Sequence, residues 1–389
     1  MKRHVVVLGA GFAGVQAAIE LSKQDRFSVT LVSDRDYLFL YPTSIWIPVH
    51  GTTFEKTSVP LEEIRRVHGF SLIVEPVRSI RSAENIVETE RGTIPYDYLI
   101  VALGADKMTH PGIEHTTTIC GKPEMTLEVR NRLDALVAKG AGRIAVGFGG
   151  NPKDVSAVRG GPAFEFLFNV DRYLRTHGIR EKFELSFFAP MANPGIRMGE
   201  GAVKMVDAKF AALKIAKRYG KKITAFRPDG VTFEDGSTLD ADLVMFIPGN
   251  AGHTVMKHSD LPLNEAGFVK IDDAGLVEGT ANVYAAGDVA AIEGPEWRAK
   301  QGHITEVMAR NAAANIIAQE EGRPEREGYR KHLNILCVMD TGDGAAIVFR
   351  DARRQWLIPL PVVGHWMQKA WGWYARATKT GRMVRLPGL

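Results

Sequence analysis

The chain has 389 residues, of which 45% are apolar and 24% charged, ordinary proportions for a globular protein with room for two or three packed units. Two cysteines, Cys120 and Cys337, exclude a disulfide scaffold and a cysteine-rich metal site but leave room for one redox pair. The formal net charge of +4 is modest and gathers in the tail, where eight basic residues from Arg350 onward meet only Asp351, so no nucleic-acid partner is expected. No run of about 18 apolar residues exists to cross a membrane. The N-terminus enters the first strand at once, so no leader segment is expected.

The stretch from His4 to Asp34 organises the rest. Val5 to Leu8 form an apolar run suited to a strand buried on both faces. Gly9, Gly11 and Gly14 follow in G-x-G-x-x-G spacing. In that pattern the first glycine permits the tight turn, the second lets the backbone approach a pyrophosphate, and the third lets the helix pack close to the sheet. The helix N-terminus aims N–H groups and a positive dipole end at the anion. Val29 to Val32 make the next strand, ending at Ser33-Asp34. An acid about 20 residues past the glycines is placed to hold a ribose hydroxyl. Strand, glycines, helix and acid together predict a bound dinucleotide.

Tyr37 to Gly51 is aromatic and carries Pro42 and Pro48, which predicts a loop or short irregular helix. Residues 71–100 alternate as a β-meander, and Tyr98 to Leu103 reads as a buried strand ending in Gly104-Ala105. A second α/β unit begins with a strand at Arg143 to Phe148, a helix from Gly161 to His177 and a strand at Glu184 to Phe188. Its details depart from a nicotinamide site. An insertion, N-P-K-D-V-S-A-V-R-G, parts Gly149-Gly150 from the helix, and the second strand runs into Ala189-Pro190. The unit is expected to keep the fold and to have lost NAD(P)H. Ala281 to Ile292 then returns to the first unit through Gly287-Asp288, and a helix follows over Gln301 to Gln319.

Three pieces stand in order: the turn at Gly9, L-I-V-A-L-G-A at 99–105 and V-Y-A-A-G-D at 283–288. Together they resemble the flavoproteins with two dinucleotide-binding domains. The aromatic segment Y-L-F-L-Y-P-T-S-I-W, G-P-A-F-E-F at 161–166, I-P-G-N-A-G at 247–252, G-F-V-K-I-D at 267–272 and C-V-M-D-T-G-D-G-A-A at 337–346 are similar to segments of the sulfide:quinone oxidoreductases. The resemblance covers nearly the whole chain. It implies an α/β fold with two Rossmann-like dinucleotide-binding domains and a C-terminal amphipathic helical segment. The implied division is 1–110 for the first part of the FAD domain and 111–280 for the second domain with its degenerate NAD site. The chain then returns to the FAD domain over 281–330 and ends in a cysteine segment and tail over 331–389. The resemblance implies FAD as cofactor, with Gly9, Gly11, Gly14, Ser33, Asp34, Pro42, Gly104, Gly287, Asp288, Lys300 and Gly302 around it. It implies a quinone as electron acceptor, and sulfide or another small sulfur donor as substrate. The family's middle cysteine is missing, for Arg159-Gly160 stand in its place.

Sulfide oxidation needs an electrophilic sulfur, and attack on a disulfide frees a thiolate that passes two electrons to a flavin. The resemblance implies Cys337 beside the flavin, with Cys120 assisting or linked to the cofactor; the alternative for both is inert burial. Arg159 is read as a cation that stabilises a thiolate or persulfide at the missing cysteine's place. Glu165 is either a proton relay or a paired structural carboxylate. Lys300 either neutralises reduced flavin or lies on the surface. His4, His110 and His303 show no metal-ligand spacing, so no metal is expected.

Val363 to Lys379 places Trp366, Ala370, Trp373 and Ala377 on one helical face, with Lys369, Arg376 and Lys379 off it. Such a helix lies in a membrane interface or docks on the protein core or a second copy of the chain. A lipid-dissolved quinone favours the membrane and a peripheral place on it. The FAD motifs all precede the tail, which is therefore expected to be separable from cofactor binding. Two rival readings are an NADH:quinone oxidoreductase of the type II kind and a non-catalytic flavin-binding relative.

Overall fold

The computed structural model describes residues 1–324, 326–361 and 363–385; residues 386–389, at the end of the expected C-terminal segment, lie outside the described residues. The first strand, Arg3–Leu8, lies inside a five-stranded parallel sheet. Its neighbours are Phe27–Ser33 and Tyr98–Val101, flanked by Ser71–Val74 and Val283–Ala285. Val5 to Leu8 are wholly buried, as a strand covered on both faces requires. The helix Phe12–Ser22 follows the glycine turn and packs on the helix Gly302–Glu320. Gly9 has φ +95°, and a Cβ on Gly14 would sit 1.7 Å from the Gly9 carbonyl oxygen. That contact is possible only without a side chain, and it sets how closely the helix approaches the strand.

The expected meander over 71–100 is smaller than the alternation suggests. Only Val77–Arg81, Ile86–Thr89 and Thr93–Pro95 pair antiparallel. Ser71–Val74 and Tyr98–Val101 both join the parallel sheet. Alternation marks exposure of one face, and an edge strand of a parallel sheet has that pattern too.

The second unit is a four-stranded parallel sheet in the order Ala216–Tyr219, Phe183–Ala189, Gly142–Phe148, Leu243–Ile247. Its long helix, Gly161–Thr176, buries Phe164, Phe166 and Phe168. Phe164 stacks on Phe187 with ring centroids 4.6 Å apart. Three antiparallel strands, Ile335–Asp340, Gly344–Arg350 and Gln355–Pro361, then lead to the tail helix Val363–Lys379.

The tail helix docks by one face. Trp371 meets Phe12, and a Cβ on Gly372 would come within 2.6 Å of Thr43. Lys379, off the Trp366 and Trp373 face as its spacing places it, is buried and pairs with Glu306 Oε1 at 2.7 Å. Arg385 bonds the other oxygen of Glu306 at 2.8 Å, and Arg376 reaches the Ser58 carbonyl and Glu63. Burial pushes the Glu306 carboxyl up, but Lys379 and Arg385 outweigh it and hold the group below its ordinary range. Ala377 is also buried, so it leaves the exposed aromatic face. That outer face keeps Trp366 and Trp373, each 65% exposed. Among the described residues no helix is long and apolar enough to cross a membrane.

Candidate active site

One cavity of about 1850 Å³ runs between the two sheets and the tail helix. Gly9, Gly11, Ser33, Asp34, Pro42, Gly104, Gly287, Asp288, Lys300, Gly302, Cys120, Glu165 and Cys337 all line it; Gly14 lies behind it, against Gly9. The glycine turn forms a cradle. A Cβ on Gly11, Gly104 or Gly302 would meet nothing within 4 Å, so the open space there faces the cavity. Ser33 is buried at the strand end and Asp34 is exposed beside it, as a ribose-binding acid must be. The helix beginning at Gly302 has no side-chain cap and no acid in its first turn. Its free N–H groups and positive dipole end suit an electron-rich ring system. The residues present therefore fit a long dinucleotide such as FAD.

Two expected roles change in the fold. Lys300 is buried, donating to the Asp288 and Ala290 carbonyls at 2.7 Å each with its ammonium 3.2 Å from the centre of the Phe268 ring. Burial drives it down to about 7, against the pull of Asp288. It is thus neither a surface lysine nor free to reach out. Arg159 pairs with Asp288 at 2.7 Å, and its field acts on Cys120, not Cys337. The sulfur on which this cation acts is therefore Cys120.

The two free thiols have opposite surroundings. Cys120 is buried, which raises its thiol, while Arg159 and Lys107 pull it back toward the thiolate. Lys107 holds Asn250 Oδ1 at 2.6 Å and is lowered to about 8 by burial. Cys337 is pushed far up, first by burial and then by Glu165. It therefore stays a neutral thiol unless its proton has a route out.

Glu165 is the titratable group whose field acts on Cys337. It is 5% exposed and takes the Asp340 N–H at 2.9 Å and the Gln368 amide at 3.1 Å. Burial raises it to about 8, against the hydrogen bonds from the Asp340 N–H and Gln368, which favour the carboxylate. Asp340 is itself buried, accepting from Trp46 Nε1 at 2.8 Å and the Gly342 N–H at 2.7 Å. Gln368 and Lys107, which line the cavity, and Asp340, which supports Glu165 from behind it, are residues that sequence reasoning missed. Asp340 lies in the C-V-M-D-T-G-D segment and was open to notice there. Gln368 carried no signal, being one polar residue among aromatics.

The insertion of the second unit folds back over its own glycine turn. Asn151 donates to the Asn250 carbonyl at 3.0 Å, Asn264 to Asp154 at 3.2 Å, and Val158 lies where a Cβ of Gly150 would be. Among the described residues no cluster of His, Cys, Asp and Glu is placed to hold a metal ion.

The fold and the glycine cradle define an FAD-dependent oxidoreductase. The pyridine nucleotide-disulphide oxidoreductase profile matches residues 3–314. A sulfide-quinone reductase of Aquifex aeolicus is 30% identical over 375 residues, 90% of this chain and 84% of that protein. A solved structure of the Aquifex aeolicus sulfide:quinone oxidoreductase superposes with TM-score 0.88 at 26% identity, covering 99% of this chain and 93% of the other. A type II NADH:quinone oxidoreductase of Staphylococcus saprophyticus is 25% identical over 372 residues, 90% of each chain. The chain belongs to the pyridine nucleotide-disulphide oxidoreductases and, within them, to the sulfide:quinone oxidoreductase family.

Gly11→Val and Gly14→Val separate cofactor binding from folding. Gly11→Val has room for its side chain and should melt near the wild type but purify colourless. Gly14→Val should lose about 1–3 kcal/mol or more, because its Cβ meets backbone. Flavin absorbance per chain and a thermal melt check both; a fully yellow Gly11→Val would refute the cradle.

Glu165 also sets a pH dependence. Its folded pKa of about 8 lies above the ordinary 4.5, so the native state holds a proton that the unfolded chain releases. Stability from this group is complete below the ordinary carboxylate range and is lost as pH rises through about 8. Glu165→Gln should flatten that fall, measured as denaturation midpoints at about pH 5 and about pH 9.

Proposed function

We propose that the protein oxidises sulfide, or a related small sulfur donor, at Cys337 and delivers the electrons through FAD to a quinone at a membrane surface. The observation that carries this reading is that Cys337, Glu165 and the inner face of the tail helix line the same cavity as the FAD cradle. Bound FAD supplies a two-electron acceptor that can be reoxidised by quinone. Cys337 and hydrosulfide would join in an S–S bond, the pair together giving up two protons and passing two electrons to the flavin, which leaves a persulfide on Cys337. Glu165, at about 8, carries a proton near neutrality and can exchange one with that thiol or with the quinone oxygens. Asp340 and Gln368 hold it in place. Gln368 lines the cavity beside Glu165, to whose Oε1 it donates at 3.1 Å. We read the division at 110, 280 and 330 as serving this route, with the last segment joining donor and acceptor ends.

The membrane reading draws on a wider patch than the helix alone. Leu336, Trp356 and Ile358 from the three-stranded sheet are exposed beside Val363, Trp366, Met367 and Trp373. A contiguous apolar surface of this kind marks an interaction site, and tryptophans favour the lipid headgroup boundary. The cavity wall formed by Met367, Gln368 and Trp371 lies on the same helix, so a lipid-dissolved quinone would enter beside it. The insertion packed over Gly150 argues against NADH as donor.

Cys337→Ser should abolish bleaching of the flavin by sulfide in anaerobic mixing, while Cys120→Ser keeps part of it. Both variants should still bleach with dithionite. A Cys337→Ser protein that reduces quinone with sulfide at the wild-type rate would end the sulfur mechanism and leave another donor.

Trp366→Glu with Trp373→Glu should release the protein from liposomes without changing its flavin content, since both side chains point away from the cavity wall. Deletion of the whole tail should cost flavin as well, because Gln368 and Trp371 close the cavity. Unchanged sedimentation of the double variant would make the patch a protein contact.

A further inference from the structure

The loop after Phe183–Ala189 brings a second, cationic feature to the cavity wall. Met191, Asn193, Ile196, Arg197 and Met198 all line the cavity there. In flavoproteins with two dinucleotide domains, the end of this strand is where a nicotinamide nucleotide would be gripped. Here three arginines meet instead. Arg197 donates to the Trp297 carbonyl at 3.2 Å, and Arg350 donates to the carbonyls of Ile196 and Arg197 at 3.0 and 3.1 Å. The Arg350 guanidinium also lies over the Trp297 ring, 5.6 Å from its centre. Arg298 bonds the carbonyls of Ile292 and Gly294 at 2.9 and 3.0 Å.

None of the three makes an ion pair among the described residues. Asp154, the one acid whose field reaches Arg197, has both oxygens engaged, one by Ser156 and the other by Asn264. The Nε of Arg197 is buried and has no hydrogen-bond partner. Arg159, another cation of the cavity, is by contrast paired with Asp288. Three neighbouring like charges repel, and one anion among them relieves that repulsion. Burial and the two neighbouring arginines lower Arg197 to about 10, which still leaves it charged at neutral pH. Met191 and Met198 beside it are polarisable thioethers, better matched to a soft sulfur anion than to a phosphate.

We propose that Arg197, backed by Arg298 and Arg350, is the port through which a small sulfur anion crosses between solvent and the cavity. The inference rests on the sulfur-donor reading above for the identity of that anion. The shared chemistry is a soft monoanion, and two sources have it: hydrosulfide entering, or a persulfide or polysulfide chain leaving.

Thiocyanate, a soft monoanion that does not reduce flavin, is the probe. Calorimetric titration of the holoprotein should show binding that weakens about tenfold or more in Arg197→Gln and is largely kept in Arg197→Lys. Arg298→Gln should weaken it less, and flavin content in each variant reports intact folding. Anaerobic mixing with hydrosulfide then separates the sources. Slower bleaching in Arg197→Gln, with unchanged photoreduction, assigns entry; unchanged bleaching with slower steady-state turnover assigns exit. Thiocyanate bound equally by the wild type and Arg197→Gln would overturn the port. A wild type that hydrosulfide cannot bleach would instead remove the sulfur-donor reading, while the thiocyanate result still decides the port.

Discussion

A single buried carboxyl holds the active end of this molecule together. Glu165 sits on the central helix of the second unit and receives the Asp340 N–H and the Gln368 amide. These three residues come from three separate segments. In a low-dielectric interior an unpaired carboxyl is costly, so the helix, the cysteine strand and the tail must meet there together. The same burial that makes the group demanding keeps it protonated near neutrality. Structure and proton chemistry therefore have one cause.

The two cysteines illustrate how surroundings divide labour between like groups. Cys120 lies in the field of Arg159 and Lys107, and Cys337 lies against a carboxyl. Burial raises both thiols; the two cations partly offset the rise at Cys120, and the carboxyl adds to it at Cys337. Arg159 stands at the place the sequence resemblance assigns to a further cysteine, and its guanidinium is directed to Asp288. The pairing with Asp288 ties the second unit to the FAD-binding strand end, a mechanical role that a cysteine could not fill.

The tail helix belongs to the cavity as much as to the surface. Its inner face carries Gln368, Trp371 and Lys379 against the FAD unit, and its outer face carries exposed tryptophans. Lys379 and Arg385 both bond Glu306 on the helix whose N-terminus faces the cavity. A buried ion pair thus fastens the tail to the helix that begins at Gly302. A helix that hung free by a linker would have no such coupling.

The amino-acid sequence alone determined the parallel sheet around Val5 to Leu8, the glycine cradle, the acid at Asp34 and the return through Gly287-Asp288. These are local patterns: strand burial, turn geometry and a helix N-terminus depend on neighbours in the chain. It also exposed the failed nucleotide fingerprint of the second unit, because the insertion after Gly150 interrupts a fixed spacing. Tertiary structure alone decided which way each charge points. Lys379 reads as a surface cation until Glu306, more than seventy residues earlier, takes it inside. Lys300 and Arg159 read as groups aimed at the flavin or sulfur, and long-range packing gives them other partners. Gln368 and Asp340 became site residues only when the tail helix and the cysteine strand closed on Glu165. The reason is physical: periodicity encodes which face is apolar, whereas the partner of a polar group depends on distance in space, which no spacing along the chain records.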